Sequence, residues 1–370
     1  MSEKFCIVGA GGFGLMTALH LRETFKDASI KIFDINKDLS PTVNGGNGML
    51  NYTMDFSLNE LMKTINFNIF NIPNKFEFYI IHLFNYMFNN NCNRKLIKKL
   101  STNEENDSEC SDSNYYKKNY WDDIINRLIQ NNIEIINNTE IIDYKYENNK
   151  IQIFSNKGDN YECDKLILCT AGNLKLIKKT CYHKFIDIFS GYSSIVEVKN
   201  VPKCFYYKDG IFITPYDNYI KITFKVEIGT INENYNIEPT SIKYNNLYDY
   251  IKNNSEIQKL GFISIKNIWR GSRAVSYDIL PFIEQVDNNV YWMSGGAYMG
   301  THMANNFGKW MVDYINNKKF TNINININIR FDPTLQRLKN IRKKYYIRLI
   351  ILLLIIILYL FNSSFKFTNS

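Results

Sequence analysis

Histidine, proline and paired cysteine are all scarce in this sequence. Its 370 residues include 4 histidines, 7 prolines and 7 cysteines, and no two cysteines have C-x-x-C spacing. Zinc sites and disulfide frameworks need clustered or evenly paired cysteines. The sequence therefore predicts a reducing compartment, with neither a disulfide framework nor a metal site.

The four histidines are not placed as catalytic acids or bases. His20, His82 and His302 fall within predicted helices, and His183 precedes a predicted strand. His302 would lie in the first turn of its helix, where packing or backbone capping is the expected role. We predict that none of the four histidines is catalytic.

Acidic residues are absent from one basic stretch near the C-terminus, in a chain whose net charge is +8. Six basic residues directly precede an apolar run: Arg337, Lys339, Arg342, Lys343, Lys344 and Arg348. Basic residues beside an apolar segment are typical of the cytosolic flank of a membrane span. This position favours a membrane over nucleic acid as the partner of the basic charge.

The apolar run itself predicts a transmembrane helix over 345–361. Thirteen consecutive apolar residues follow Arg348, and the run reaches seventeen when Tyr345–Arg348 is counted, with the arginine snorkelling. At ~1.5 Å per residue this helix spans about 25 Å, enough for a thin bilayer. The expected arrangement is a single-pass C-terminal anchor with the rest of the chain in the cytosol. The alternative is a buried C-terminal helix.

The N-terminal segment has the order strand, glycine turn, helix, strand. Phe5–Val8 and Ile30–Phe33 are apolar strands on either side of a helix over Leu15–Phe25. The turn Gly9–Gly14 has the form G-x-G-x-x-G, in which the glycines permit chain reversal, approach of a pyrophosphate and close helix packing. Asp34 follows the second strand, where a carboxylate can accept hydrogen bonds from ribose hydroxyls.

A second glycine turn lies far along the chain. Val290–Gly308 is interpreted as a strand, a turn containing Gly295, and a helix that begins near Gly300 and Thr301. The N-terminus of such a helix can stabilise negative charge on a reduced flavin ring. A dehydrogenase that uses NAD does not need this second helix, so the two turns together favour FAD.

The chain between the two turns contains further predicted elements. They are a helix over Tyr120–Gln130, a hairpin of Ile141–Tyr146 and Lys150–Ser155, a buried strand over Leu166–Cys169 and a strand-rich region over 185–268. Residues 101–114 are polar and acidic without periodicity, which predicts an exposed loop. Residues 322–329 alternate Asn and Ile, a pattern that suits either an edge strand or low-complexity sequence.

Six segments have the form of motifs from one known family: IVGAGGFG, VNGGNGML, LILCTAGN, SGYSSIVEV, WRGSRAVSYDILPFIE and SGGAYMGTHMA. Together they resemble the D-amino-acid oxidase superfamily of FAD-dependent oxidoreductases, and most closely the small subunits of D-amino-acid dehydrogenases. The resemblance implies an α/β fold, in which a Rossmann-type FAD-binding domain of the glutathione-reductase type is interleaved with an α+β substrate domain.

The resemblance also implies domain boundaries and a set of cofactor contacts. The FAD-binding domain would comprise 1–50, 120–184 and 269–320, the substrate domain 51–119 and 185–268, and a basic linker 321–344 would precede the transmembrane helix. FAD would bind without a covalent link. The residues implied to hold it are Gly9, Gly11, Gly14, Asp34, Asn44, Gly45, Gly46, Gly172, Gly295, Gly300 and Thr301.

The motif Trp269-x-Gly271-x-Arg273 is implied to hold the substrate. In the amino-acid-oxidising members of the family, the arginine of this motif binds the substrate carboxylate. A guanidinium suits this role because it binds a carboxylate through two parallel hydrogen bonds. The alternative is a structural arginine, with Asp278 as one possible partner.

The function that the resemblance implies is oxidation of the C–N bond of an amino acid or amine, by hydride transfer to flavin N5, as in a D-amino-acid dehydrogenase. A membrane anchor would place the flavin near a membrane electron acceptor such as a quinone. Two alternatives are a glycine- or sarcosine-type oxidase that reduces oxygen, and a non-catalytic membrane-anchored flavoprotein. Because the loop 101–114 replaces a longer family segment, the sequence does not assign the substrate or its stereochemistry.

Overall fold

A computed structural model of the chain describes most of its residues. The described residues are 2–36, 49–50, 65–67, 77–78, 80–81, 114–115, 120–171, 173–177, 184–203, 206–208, 210–228, 235–236, 239–297, 300–318 and 332–367. The predictions for 322–329, and for all of 101–114 except Asn114, lie outside these residues.

The strands, in chain order, are β1 Lys4–Val8, β2 Ser29–Phe33, β3 Met49–Leu50, β4 Ile65–Phe67, β5 Asn114–Tyr115, β6 Glu134–Ile136, β7 Ile141–Glu147, β8 Lys150–Ser155, β9 Asn160–Cys163, β10 Lys165–Leu168, β11 Ile186–Val198, β12 Tyr206–Lys208, β13 Ile211–Pro215, β14 Ile220–Ile228, β15 Tyr235–Asn236, β16 Phe262–Ser276, β17 Phe282–Asp287 and β18 Val290–Ser294. The helices are α1 Gly12–Thr24, α2 Tyr120–Gln130, α3 Ile242–Lys252, α4 Ser255–Lys259, α5 Gly300–Ile315 and α6 Leu335–Phe367.

Six strands form one sheet in the order β17–β18–β10–β1–β2–β6. Neighbouring strands are parallel, except that β17 is antiparallel to β18. Its central strand β1 is buried on both faces, with Cys6 and Ile7 2% and 0% exposed. The sequence of such a strand is a continuous apolar run, because other elements cover both faces of a parallel sheet. The predicted α/β fold around a parallel sheet is confirmed.

Helices α1 and α5 cross closely on one face of this sheet. A Cβ on Gly308 of α5 would lie 2.8 Å from the carbonyl carbon of Met16 and 2.9 Å from the nitrogen of Thr17, both on α1. Helix backbones come this near only where a glycine removes the side chain between them. The contact sets the position of α5, and with it the position of the helix's N-terminus.

Seven strands form a second sheet, in which β12, β13, β14, β11, β16 and β15 follow one another and β4 pairs with β14. One face is apolar and packs against α3 and α4 through Leu247, Ile251 and Ile257. These helices were not anticipated within the strand-rich region 185–268. Ser241 caps α3 by accepting from the N–H of Tyr244 at 3.1 Å, so a local capping signal was present in the sequence.

Helix α6 begins at Leu335, within the segment predicted to be a linker. Leu335 and Leu338 are fully buried, which shows that the first turn packs against the body of the protein. Two turns further along, the hydroxyl of Tyr346 donates to Glu77 Oε1 at 2.7 Å. The basic stretch is therefore helical, and of its six basic residues Arg337 and Arg342 are partly buried.

The apolar part of α6 is exposed. From Ile350 to Leu358, each side chain is 45% to 68% exposed. Among the described residues, which include the side chains of α6 only as far as Leu358, no helix is both long enough and apolar enough to cross a membrane.

Candidate functional site

The glycine turn between β1 and α1 brings backbone atoms very close to two of its glycines. Gly9 has a φ of +105°, and a Cβ on it would lie 2.4 Å from the carbonyl oxygen of Cys169. A Cβ on Gly14 would lie 1.9 Å from the carbonyl oxygen of Gly9. Neither position has room for a side chain, so this geometry requires glycine at both.

The N-terminus of α1 is not capped by a side chain. Gly11 is the N-cap residue, it makes no side-chain capping hydrogen bond, and the first turn of the helix contains no acidic residue. The N–H groups of a first helical turn have no partner within the helix and lie at the positive end of its dipole. Such an N-terminus suits an anionic group such as a phosphate.

Asp34 is directly bonded to the glycine turn. Its Oδ2 accepts a hydrogen bond from the backbone N–H of Ala10 at 2.7 Å. Its Oδ1 accepts from the backbone and side-chain N–H groups of Asn36 at 2.9 and 2.8 Å. Asp34 is 5% exposed. The structure thus gives this carboxylate a bracing role that the sequence did not predict, while its ribose contact stays a prediction.

The second glycine turn lies against the first. Gly295 has a φ of +82°, and a Cβ on Gly296 would lie 2.7 Å from the Cα of Gly300. The same Cβ would lie 2.9 Å from the ring of Phe13, which belongs to the first turn of α1. The N-termini of α1 and α5 therefore meet at the carboxyl edge of the parallel sheet.

Some predicted cofactor positions lie outside the described residues. They are Asn44, Gly45, Gly46 and Gly172, and only the backbone of Thr301 is described. The others gather at the carboxyl edge of the six-stranded sheet: Gly9, Gly11, Gly14, Asp34, Gly295 and Gly300. Their contacts with a cofactor stay predictions.

Arg273 lies on β16, beside the N-terminus of α5. The next residue, Ala274, accepts a backbone hydrogen bond from Ala297 at 2.7 Å, and Val275 forms an antiparallel bridge with Gly296. Arg273 is partly buried, and a Cβ on Gly191 of β11 would lie 3.1 Å from its Nη1. The absence of a side chain at position 191 leaves space for this guanidinium.

Asp278 forms a buried ion pair with Arg337, at 2.7 Å between Nε and Oδ2. Arg337 also donates to the carbonyl oxygens of Leu280 and Pro281 at 3.0 and 2.8 Å. This ion pair is part of the packing of α6, and it gives Asp278 a structural role.

Arg273 belongs to a row of polar or amphipathic side chains on one face of the seven-stranded sheet. We call this row the polar face, and it consists of Ser193, Thr214, Lys221, Thr223, Trp269 and Arg273. The strand register pairs Ser193 with both Thr223 and Trp269, and Lys221 with Thr214. The hydroxyls of Ser193 and Thr223 are 3.0 Å apart, and Lys221 Nζ lies 5.4 Å from the centroid of the Trp269 ring.

Lys221 was missed by the sequence analysis. In β14 it alternates with Ile220 and Ile222, a pattern that usually places a lysine in solvent. The structure instead leaves it 4% exposed, and this burial lowers the pKa of its ammonium group to about 7. The sequence shows the alternation along β14, but it does not show that other parts of the chain cover the second face of the sheet.

The sequence matches one family model, described as DAO, FAD dependent oxidoreductase, over residues 118–314. This match includes β16, β18 and most of α5, and so the positions of Arg273 and Gly295. A comparison with proteins of curated function finds no significant match.

Several solved structures share the fold. Glycine oxidase from Geobacillus kaustophilus has a TM-score of 0.58 at 12% identity, covering 90% of this chain and 100% of that one. L-proline dehydrogenase from P. horikoshii has a TM-score of 0.56 at 15% identity, covering 87% and 96%. L-amino acid deaminase from Proteus vulgaris has a TM-score of 0.54 at 12% identity, covering 90% and 95%. At these identities the likeness shows the fold alone.

Proposed function

We propose that this chain, which belongs to the DAO family of FAD-dependent oxidoreductases, oxidises the C–N bond of an amino acid or a secondary amine. The similar structures support this substrate class, because they are named for glycine, L-proline and L-amino acids. The observation that carries the proposal is the position of Arg273 beside the N-terminus of α5.

The residues at the carboxyl edge of the parallel sheet fit FAD. The turn Gly9–Gly14 excludes side chains at both ends, and the uncapped N-terminus of α1 offers N–H groups to a pyrophosphate. Asp34 accepts three hydrogen bonds within the chain, and a carboxylate has about four acceptor positions, so one is left for a ribose hydroxyl. When bound, FAD supplies the two-electron acceptor for the oxidation.

Arg273 binds and orients the substrate in this proposal. Its guanidinium binds the carboxylate through two parallel hydrogen bonds. The absence of a side chain at Gly191 leaves space for the guanidinium. In this proposal the amine would bind in its neutral form, a hydride would pass from its α-carbon to the bound FAD, and water would hydrolyse the iminium ion that remains. No acid–base side chain is assigned a role in this proposal.

Anaerobic titration of the flavin tests this function. Full-length protein in a mild detergent is mixed with D-alanine, D-proline, L-proline, glycine or sarcosine, and we expect at least one of them to bleach the visible flavin absorption. Arg273→Met should raise the half-saturating concentration at least about tenfold, since a charge-assisted hydrogen bond contributes ~1.5–3 kcal/mol. Arg127→Met, on the exposed face of α2, is the matched control.

Each negative result has a definite meaning. Protein that shows no flavin absorption after reconstitution would remove the cofactor assignment. Bound flavin that no amine bleaches would favour the non-catalytic flavoprotein. Equal half-saturating concentrations for Arg273→Met and the wild type would remove the role of Arg273.

The electron acceptor separates a dehydrogenase from an oxidase. The fold of glycine oxidase favours oxygen, whereas an anchor in the membrane favours a quinone. Stopped-flow reoxidation of the reduced protein by oxygen and by a water-soluble quinone compares the two. We expect faster reoxidation by the quinone, and a faster reaction with oxygen would assign the chain as an oxidase.

We also propose that the C-terminal part of α6 anchors the chain in a membrane, with the flavin domain in the cytosol. The exposed side chains Ile350–Leu358 support this, and the apolar sequence continues to Phe361. A charge at the centre of a span costs about 2.5–3.5 kcal/mol, so Leu353→Arg should release the protein from membranes during alkaline extraction. Ile142→Arg, at a comparably exposed isoleucine, is the control. Full retention of Leu353→Arg in the membrane fraction would exclude the anchor.

A further inference from the structure

Two glycines face each other across β11 and β16, next to Arg273. The strand register pairs Gly191 with Gly271, and the next pair on the same face of the sheet is Phe189 with Arg273. The Arg273 side chain leans towards the glycine pair, since a Cβ on Gly191 would lie 3.1 Å from its Nη1. The pair therefore leaves backbone without side chains directly beside the guanidinium.

The space above Gly271 is open. Within the described part of the chain, no atom lies within 4 Å of the position that a Cβ on Gly271 would take. Gly271 and Arg273 are both partly exposed, whereas Trp269 and Ser193, the next pair along the polar face, are 8% and 4% exposed. Solvent therefore reaches this face of the sheet at Gly271 and Arg273, while the neighbouring pair is covered.

A β-bulge at Lys225 keeps a cation away from the glycine pair. Regular pairing along β14 would put Lys225 opposite Gly191, but the register shifts by one residue there, and Val226 is the partner instead. The Lys225 Nζ lies 4.3 Å from the centroid of the Tyr250 ring. Tyr250 belongs to α3, which packs against the other face of the sheet, so the ammonium group has been moved off the face that carries Arg273.

The bulge has an unfavourable backbone. Lys225 has a φ of +46°, and such a conformation at a residue other than glycine persists only where the surrounding structure requires it. Bulges are common beside active sites, where they redirect a side chain. The result is a row across three strands, Val226, Gly191 and Gly271, in which no residue is charged.

We infer that the substituent on the α-carbon of the substrate lies over the Gly191–Gly271 pair, and that Gly271 is a specificity-determining residue that sets the size of this substituent. A carboxylate bound to Arg273 brings the α-carbon next to the pair, and a row without charged residues favours an apolar group there. The substrate class is then an α-amino acid with an aliphatic side chain larger than that of alanine. This inference rests on the proposed function, because it assigns Arg273 to the carboxylate.

Calorimetric titration of the full-length, flavin-loaded protein with propionate and with 4-methylpentanoate tests this inference without turnover. The two acids correspond to alanine and leucine without the amino group, so they differ only in the aliphatic chain. We expect 4-methylpentanoate to bind at least about tenfold more tightly, because more apolar surface is buried. Glutarate, which carries a second charge at the far end of its chain, should bind more weakly than 4-methylpentanoate.

Substitutions at Gly271 test its role directly. Gly271→Val fills the open space with a side chain that suits a strand. We expect it to lower the affinity for 4-methylpentanoate at least about tenfold and that for propionate less than about threefold. Gly271→Ala adds only a Cβ, so it keeps the test available if Gly271→Val does not fold, and its effect should be intermediate. Asn267→Val, at an exposed position of the same strand outside the glycine pair, is the matched control and should keep the wild-type ratio of affinities.

Three results would overturn the inference. The first is equal affinity of the wild type for propionate and 4-methylpentanoate. The second is glutarate binding as tight as that of 4-methylpentanoate, which would show that the row accepts a charge. The third is a loss of affinity in the Gly271 variants that is the same for both aliphatic acids.

Flavin bleaching distinguishes this inference from the proposed function. Bleaching by an amino acid, with no dependence of ligand size on Gly271, would retain the function and reject the role of Gly271. A preference for 4-methylpentanoate that Gly271→Val removes, without bleaching by any amino acid, would retain the site and reject the function. We expect one enantiomer of leucine to bleach the flavin at a lower concentration than glycine does.

Discussion

Arg337 and Asp278 form a buried ion pair that joins the first turn of α6 to the loop between β16 and β17. The side chains are 11% and 4% exposed, and the guanidinium also donates to the carbonyl oxygens of Leu280 and Pro281. Asp278 lies five residues after Arg273 in the sequence. The C-terminal helix is thus fastened close to the strand that carries the proposed substrate arginine.

Arg337→Met should destabilise the protein. It leaves the Asp278 carboxylate buried without its cation, and such a loss costs about 3–5 kcal/mol. Urea denaturation of the full-length chain measures the change in the free energy of unfolding. Lys339→Met is the control, because Lys339 is 44% exposed and lies 3.8 Å from Glu284, an arrangement that contributes about 0–1 kcal/mol. Similar decreases in the free energy of unfolding for the two variants would show that the buried ion pair stabilises the protein no more than the exposed one does.

Asp34→Ala should weaken both the fold and FAD binding. The backbone N–H of Ala10 loses its acceptor, and an unpaired buried N–H costs about 1–3 kcal/mol. Urea denaturation of the FAD-free protein measures the bracing of the turn, and fluorescence titration with FAD measures the cofactor contact. A variant that loses FAD affinity without losing FAD-free stability would show that Asp34 acts on the cofactor alone.

Gly14→Ala should abolish FAD binding. The added Cβ would lie 1.9 Å from the carbonyl oxygen of Gly9, so the turn must open to accommodate it. Gly300→Ala is the comparison within the same site, because its Cβ would meet only the Phe13 ring, at 3.6 Å, which is an ordinary contact. Flavin absorbance per mole of purified protein compares the two. Normal flavin content in Gly14→Ala would show that the turn tolerates a side chain.

The dinucleotide half of the fold was predictable because its signals are local. The apolar run Phe5–Val8, the glycine turn and Asp34 follow one another within one βαβ unit, and each element lies close to its predicted bounds. Helix α1 begins at Gly12, three residues before the predicted start, because the apolar periodicity that marks a helix is absent from its glycine-rich first turn.

Features that depend on contacts between distant segments were harder to predict. The bracing of Ala10 by Asp34 joins residues 24 positions apart, and the burial of Lys221 depends on what covers the sheet. Period-2 alternation shows only that the two faces of a sheet differ in polarity, not that one of them is exposed to solvent. The ion pair of Arg337 with Asp278 spans 59 positions, so the basic stretch was attributed wholly to a membrane flank.

The buried Lys221 should make the stability of the protein depend on pH. Burial lowers the pKa of its ammonium group from 10.5 to about 7, so between these values the unfolded chain holds a proton that the folded chain has lost. The free energy of unfolding therefore rises with pH above about 7, and this contribution is lost as the pH falls through 7. Between pH 7 and 9 the rise is about 2 kcal/mol, at ~1.4 kcal/mol per proton and pH unit. Lys221→Met should lack this part of the increase when urea midpoints at pH 7 and 9 are compared with the wild type. The same increase in both proteins would show that Lys221 keeps its proton in the fold.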